Sequence, residues 1–237
     1  MRYNRQYRHE LKYWVSRGTY EVLRQRFRAV MKPDEHAQSG GYRITSLYFD
    51  DVYETAYREK MNGMLYRKKF RIRTYDLDPS FIRLEEKCKE NNVGYKKSAL
   101  LTRGEYTDIL NGKTSFLADE RFLGTAAEDF FYSTSAVLQK PAVIVDYYRE
   151  PYLCDAGNVR LTFDSGLSVC ANTFDMFDEK AVFSPVFEQG DILLEVKYDN
   201  FLPGFIEQIL SGVPLDYDSV SKFILCSDKA KQLRFGI

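Results

Sequence analysis

The sequence is poor in the residues from which metal centres and nucleophile–base pairs are usually built. It has only two histidines, His9 and His36, and four cysteines, Cys88, Cys154, Cys170 and Cys226, none in a CxxC pair. Neither set has metal-ligand spacing, which argues against structural zinc, and dispersed thiols suit a reducing compartment. No Walker loop and no Ser-His-Asp set competes for the chemistry. Charge of one sign is not in excess either: 34 Lys and Arg face 34 Asp and Glu. A general nucleic-acid binder, whose domains carry a basic surplus, is therefore disfavoured, and any polyanion site must be local. No apolar run approaches the length of a membrane span, and residues 1–8 lack the apolar core of a signal peptide. The expectation is a soluble, cytoplasmic chain with no membrane span, a membrane-protein partner being left open. Oligomeric state is not indicated. What is present is 18 Tyr, 17 Phe and 44% hydrophobic residues, spread evenly over 237 positions without linker or repeat. One domain over residues 1–237 is expected.

The most informative stretch is Arg67-Lys68-Lys69-Phe70-Arg71-Ile72-Arg73-Thr74-Tyr75. Read as a strand, it places Arg67, Lys69, Arg71 and Arg73 on one face and Phe70 and Ile72 on the other. Cations spaced about 7 Å apart repel one another unless the face meets bulk water or a polyanion.

The same alternation recurs along the chain. Residues 7–15 read as a strand with Arg8, Glu10 and Lys12 opposite Leu11, Tyr13 and Val15. Ser16 is placed to cap a helix over 17–31, striped by Tyr20, Leu23, Phe27 and Val30, with Arg24 and Arg28 on its wet face. A Ser39-Gly40-Gly41 loop leads to a strand over 42–49; Asp50 or Asp51 caps a helix over 52–62 that Gly63 ends. A turn with Pro79 gives a strand over 81–89, where Arg83, Glu85, Lys87 and Lys89 share a face. A loop at Asn91, Asn92 and Gly94 leads to residues 95–101, carrying Lys96 and Lys97. Thr102 and Glu105 have capping-box spacing for a helix closed by Gly112. Residues 115–139 are mostly helical in pattern, with Phe122, Leu123, Phe130 and Phe131 as core. Strands follow over 142–148, ending in Arg149; over 159–164, with Arg160, Thr162 and Asp164 on one face; and over 191–198, with Asp191, Glu195 and Lys197 on one face. Helices run from Pro203 to Leu210 and onward from Asp218 or Ser219, the second striped by Val220, Phe223, Ile224 and Leu233. Lys222 falls early in it and is, by position alone, a solvated residue.

The fold class is α+β, a large antiparallel sheet with helices packed around it. If the charged faces point outward, the sheet is an ordinary half-solvated one. If the sheet closes, Lys12, Arg71, Arg73, Lys87, Arg149, Arg160 and Lys197 gather around Glu10, Glu85 and Glu195. Buried unpaired charge costs several kcal/mol, so such an interior must be wet and filled by anions and metal. A triphosphate-like ligand with a divalent cation meets both needs.

At Lys12-Tyr13-Trp14-Val15, Ile44-Thr45-Ser46-Leu47-Tyr48-Phe49-Asp50, Phe70-Arg71-Ile72-Arg73 and Glu195-Val196-Lys197, the chain resembles the VTC (vacuolar transporter chaperone) polyphosphate polymerase domain of the triphosphate tunnel metalloenzymes. The likeness runs in order from Arg8 to about Lys222. It implies an antiparallel β-tunnel, or closed barrel, in which Lys12, Arg71, Arg73, Lys87, Arg149 and Arg160 are catalytic cations. It further implies Glu195 as the carboxylate for Mn²⁺ or Mg²⁺, and Arg43, Lys96 or Lys97, and Lys222 as further substrate contacts. On the residues alone, Glu195 reads equally as an ion-pair partner of lumen cations. Tunnel hydrolases open with Glu-x-Glu-x-Lys, whereas Arg8, Glu10 and Lys12 occupy those positions here. That departure leans toward ATP-dependent polyphosphate synthesis. The rivals are a metal-dependent triphosphatase of the same fold and a non-enzymatic polyphosphate-binding module.

Overall fold

Alternation between charged and apolar faces becomes a closed ring of strands. The computed structural model describes residues 6–37, 40–187 and 190–236. Most of the polar N-terminal stretch and Ser39 of the glycine loop lie outside the described residues. β1 (Arg8–Val15) leads into α1 (Arg17–Val30), where Ser16 Oγ accepts the Thr19 amide at 3.1 Å. After β2 (Lys32–Pro33) and β3 (Tyr42–Asp50), α2 spans Thr55–Met61. It starts later than the spacing suggests because both aspartates serve it: Asp51 accepts from the Thr55 amide, and Asp50 from those of Ala56 and Tyr57. β4 (Tyr66–Tyr75), β5 (Ile82–Glu90) and β6 (Val93–Leu101) form a meander. Gly94, expected in the loop, lies within β6, because the β5–β6 turn is only Asn91-Asn92, with Asn91 at φ 54°. α3 (Arg103–Leu110) has the expected capping box. Two short 3-10 turns, Ser115–Ala118 and Glu120–Phe122, precede α4 (Ala126–Val137). The break falls at Gly124, φ 75°, and leaves Leu123, expected in the core, exposed beside buried Phe122. β7 (Lys140–Cys154) and β8 (Val159–Cys170) run longer than their apolar cores suggest. β9 (Phe183–Pro185), β10 (Ile192–Tyr198), α5 (Gly204–Ser211), β11 (Asp216–Tyr217) and α6 (Lys222–Phe235) complete the chain.

Eight strands close on themselves in the order β7-β3-β4-β5-β6-β1-β10-β8, with β8 returning to β7, every neighbour antiparallel. β2, β9 and β11 extend this tunnel at its edges. Closure is thinnest between β1 and β6, where Arg8↔Gly94 and His9↔Val93 are the only pairs among the described residues. One apolar core covers the outside of β3–β6 beneath α3 and α4, and a second covers β1, β8 and β10 beneath α1 and α5. The third lies inside the ring, where Phe223 and Ile224 of α6 meet Tyr48, Val145 and Leu193. α6 thus fills part of the bore, and the remainder is polar. Among the described residues, no helix is long and apolar enough to cross a membrane.

Candidate functional site

Register fixes which side chains look inward. Lys12 stands opposite Glu195, Arg71 opposite Glu85, Arg149 opposite Asp164 and Lys197 opposite Arg160. Because residues two apart share a face, Glu10, Lys69, Arg73, Lys87 and Lys96 turn inward with them. The wide end of the lumen is a cavity of about 570 Å³ lined by Arg8, Arg71, Arg73, Lys96, Arg149 and Arg160. It narrows to about 60 Å³ among Lys12, Lys69, Lys87, Glu195, Lys197 and Lys222. Beyond lies a second opening of about 100 Å³, with Lys60, Arg67, Lys68 and Lys89 among its lining.

Glu195 is the hub of the narrow part. Its carboxylate accepts from Arg149 Nη2 at 3.0 Å, Lys197 Nζ at 2.8 Å and Lys222 Nζ at 2.8 Å, with Lys12 Nζ at 3.8 Å. Burial alone would raise this carboxyl, but Lys197, Lys222, Lys12 and Arg149 hold it well below the usual carboxylate range. Asp164 fixes Arg149 through two bonds of 2.6 Å and also meets Lys222 at 2.6 Å. Across the bore, Glu85 takes Arg71 at 2.6 Å and Lys96 at 2.5 Å. Arg71 in turn donates to the Tyr48 hydroxyl at 2.9 Å, and Arg73 to Ser46 Oγ at 3.1 Å and the Tyr147 hydroxyl at 3.2 Å. Glu10 accepts from Lys87 at 2.7 Å and lies 3.3 Å from Lys12.

Lys69 differs from these. Its ammonium has no carboxylate within ion-pair distance among the described residues; it lies 3.5 Å from Ser221 Oγ and over the rings of Tyr48 and Phe223. Burial lowers it well below the usual lysine value, and the nearby Lys87, Lys12 and Arg71 lower it further. Lys197 is likewise brought down, to about 8, by burial against the opposing pull of Glu195. Both groups would gain from an anion.

Two sequence-level candidates are not in this constellation. Arg43 lies between the inward Tyr42 and Ile44, so it faces outward, donating to Asp146 at 2.7 Å. Lys97 faces α4 and donates to Asp129 at 2.6 Å, while its neighbour Lys96 points inward. Lys222 is buried, not solvated, because α6 enters the bore. Arg8 sits at the wide mouth, 2.9 Å from Asp199, and also donates to the Asn158 carbonyl. Asp164, Tyr48 and Tyr147 escaped notice as site residues, although each shares the parity of an inward cation on its own or the facing strand.

Among the described residues there is no cluster of three metal-ligating side chains. An all-protein metal cage is therefore not what these donors form. Glu10 and Glu195, both within reach of Lys12, are hard oxygen donors of the kind that hold Mg²⁺ or Mn²⁺ jointly with phosphate oxygens.

A family model described as VTC domain matches residues 7–230. Among solved structures, the chain is similar to the PH1819 protein of Pyrococcus horikoshii OT3, with a TM-score of 0.51 and 12% identity over 94% of this chain and 99% of that one. It is also similar to a Vibrio parahaemolyticus protein provisionally designated an adenylate cyclase, with a TM-score of 0.51 and 10% identity over 94% and 99% of the two chains. At these identities the likeness is one of fold. No curated protein matches the sequence.

Proposed function

The chain belongs to the VTC domain family, and from that premise and the charge of its lumen we propose that it is a phosphotransferase moving the γ-phosphate of ATP onto a polyphosphate chain. The observation that carries this is the narrow compartment, where Lys69 lies among Lys12, Lys87 and Arg71, while Glu10 and Glu195, which line the same space, are engaged by other cations and neither is within ion-pair distance of Lys69 among the described residues. Such a cluster is costly empty and favourable around a linear polyanion. Phosphoryl transfer asks little covalent chemistry of a protein; aligning donor and acceptor and neutralising the equatorial oxygens account for most of the rate. In this scheme Arg71, Arg73, Arg149 and Arg160 hold phosphates, their guanidinium forks matching pairs of oxygens. Lys12 and Lys87 stand nearest the reacting group. Tyr48, Ser46 and Asp164 act by positioning Arg71, Arg73 and Arg149.

A divalent cation, Mn²⁺ or Mg²⁺, supplies Lewis acidity and a template for phosphate oxygens when bound. Glu195, with Glu10, is the protein's contribution to holding it. Arg8 stands where tunnel hydrolases carry an acid, so this position adds a cation and no carboxylate to the wide mouth. That supports synthesis over hydrolysis. Incubation of purified protein with ATP and Mn²⁺, with polyphosphate resolved from orthophosphate, tests the proposal. A lengthening polymer is expected. Orthophosphate alone would mean a triphosphatase, and tripolyphosphate binding without turnover a binding module.

A further inference from the structure

The wide cavity does not end at the strand ends. It continues into a shelf of about 700 Å³, and the two spaces share Tyr42, Tyr75 and Arg160. The chemistry changes across that boundary. Inside, the walls are rich in cations; on the shelf, aromatic rings follow one another beside Asp34, Asp76 and Asp78, with Tyr42 and Tyr75 at 5.4 Å and Tyr75 and Phe81 at 5.8 Å between ring centroids. The Arg83 guanidinium lies 4.9 Å over the Phe81 ring. The turn carrying Phe81 is pinned: Asp76 accepts the Arg43 amide at 2.8 Å, Asp78 accepts the Ser80 amide at 2.8 Å, and the Thr74 hydroxyl donates to the Asp78 carbonyl at 2.7 Å. At the boundary, Arg160 donates to Asp34 and to the Tyr42 hydroxyl, yet its Nε is buried without a partner.

A polyphosphate has no use for aromatic faces. A nucleobase does, because every base has a π-face that stacks on aromatic rings and on arginine planes. We infer that the shelf of Tyr42, Tyr75, Phe81 and Arg83 holds the nucleoside moiety of the phosphoryl donor, with the donor's phosphates running inward past Arg160. This rests on the donor being a nucleoside triphosphate, as proposed above. The shelf thereby fixes polarity: the nucleoside stays at the wide mouth and the γ-phosphate points toward Lys12 and Lys87.

The test is calorimetric titration of ATP and of tripolyphosphate, both with chelator to prevent turnover, into wild type, Phe81→Leu and Phe81→Trp. Phe81→Leu keeps an apolar side chain at the turn but removes the π-face. It should weaken ATP about five- to fifty-fold, the range expected of one lost stack, and leave tripolyphosphate within about two-fold; Phe81→Trp should retain ATP affinity. Saturation-transfer NMR on the wild type needs no variant and should show the adenine protons in contact with protein. Unchanged ATP affinity in Phe81→Leu, or adenine signals without saturation, overturns the shelf while tripolyphosphate binding keeps the lumen proposal standing. Failure of the wild type to bind either ligand overturns the lumen proposal, and the shelf with it.

Discussion

Replacing Glu195 by glutamine removes one charge from the hub of the narrow compartment while keeping its shape. The carboxylate is buried, with Arg149, Lys197 and Lys222 at 3.0, 2.8 and 2.8 Å. A pair at 2.8 Å attracts by about 6 kcal/mol at an effective dielectric constant of 20, much of it offset by desolvation. Removing one partner of a buried pair nonetheless costs about 3–5 kcal/mol, because the cations left behind stay out of water. At about 2–4 °C per kcal/mol for a chain of this size, the melting temperature should fall by about 10 °C. The pH dependence has a definite sign. The folded carboxyl is held below its unfolded value, so its contribution is complete above about pH 4.3 and is lost as pH falls through the folded value. The gap between wild type and variant is therefore full at neutral pH and closes in strong acid. Tripolyphosphate should narrow the gap too, since its oxygens replace the missing charge, and should bind the variant on the order of ten-fold more tightly. Scanning calorimetry with and without tripolyphosphate reads both effects. A variant melting within about 2 °C of wild type at neutral pH, or one that binds tripolyphosphate no better, would refute the electrostatic account of this compartment. If Glu195 also holds the divalent cation during turnover, the Mn²⁺ midpoint of activity rises in the same variant; an unchanged midpoint removes that role.

Other outcomes follow from the same geometry. Lys69 and Lys197 are depressed by burial, Lys197 to about 8, so an anion that favours their charged forms should draw in protons at mildly alkaline pH; binding enthalpies that do not vary with the ionisation enthalpy of the buffer would contradict this. Affinity for tripolyphosphate should accordingly fall as pH rises through 8, measured by titration at constant ionic strength. Arg73→Gln should weaken tripolyphosphate about ten-fold or more, whereas Arg43→Ala and Lys97→Ala, both on outward faces, should leave it unchanged within about two-fold; equal losses in all three would argue against the inward and outward assignment. Thr102→Ala, which opens the α3 capping box, should cost about 1 kcal/mol of stability with no effect on anion binding, as read by thermal melts beside titrations.

The strands and their faces were legible in the sequence because a period of two survives any small error in strand boundaries. Arg71, Arg73, Arg160 and Glu195 could each be assigned a face from their neighbours alone, whereas Arg149 follows an apolar run without alternation and takes its face from pairing with Tyr42 and Asp164. Arg43 and Lys97 could not be sorted by likeness of motif, since a one-residue difference in register reverses the face and Lys96-Lys97 offers a cation at both parities. Helix ends were readable where the side chain itself makes the cap, as at Ser16 and Thr102. Leu123 was not, because its exposure depends on where Gly124 breaks the helical pattern. Lys222 illustrates a different limit. Nothing in α6 taken alone distinguishes a solvated first turn from one inserted into a bore; only the packing of Phe223 and Ile224 against Tyr48 and Leu193 decides it.

The pairing of β1 with β10 governs how the protein is made. The first strand finds most of its partners only after the tenth has been made, and until then β6 can pair with no more of it than Arg8 and His9 among the described residues. Contacts of such wide sequence separation slow folding and leave strand edges open to misassociation in the meantime. Arg8, Glu10 and Lys12 alternate along that waiting edge, and charged side chains on an unpaired strand discourage the wrong neighbours. The charges that line the finished lumen thus also serve the unfinished chain.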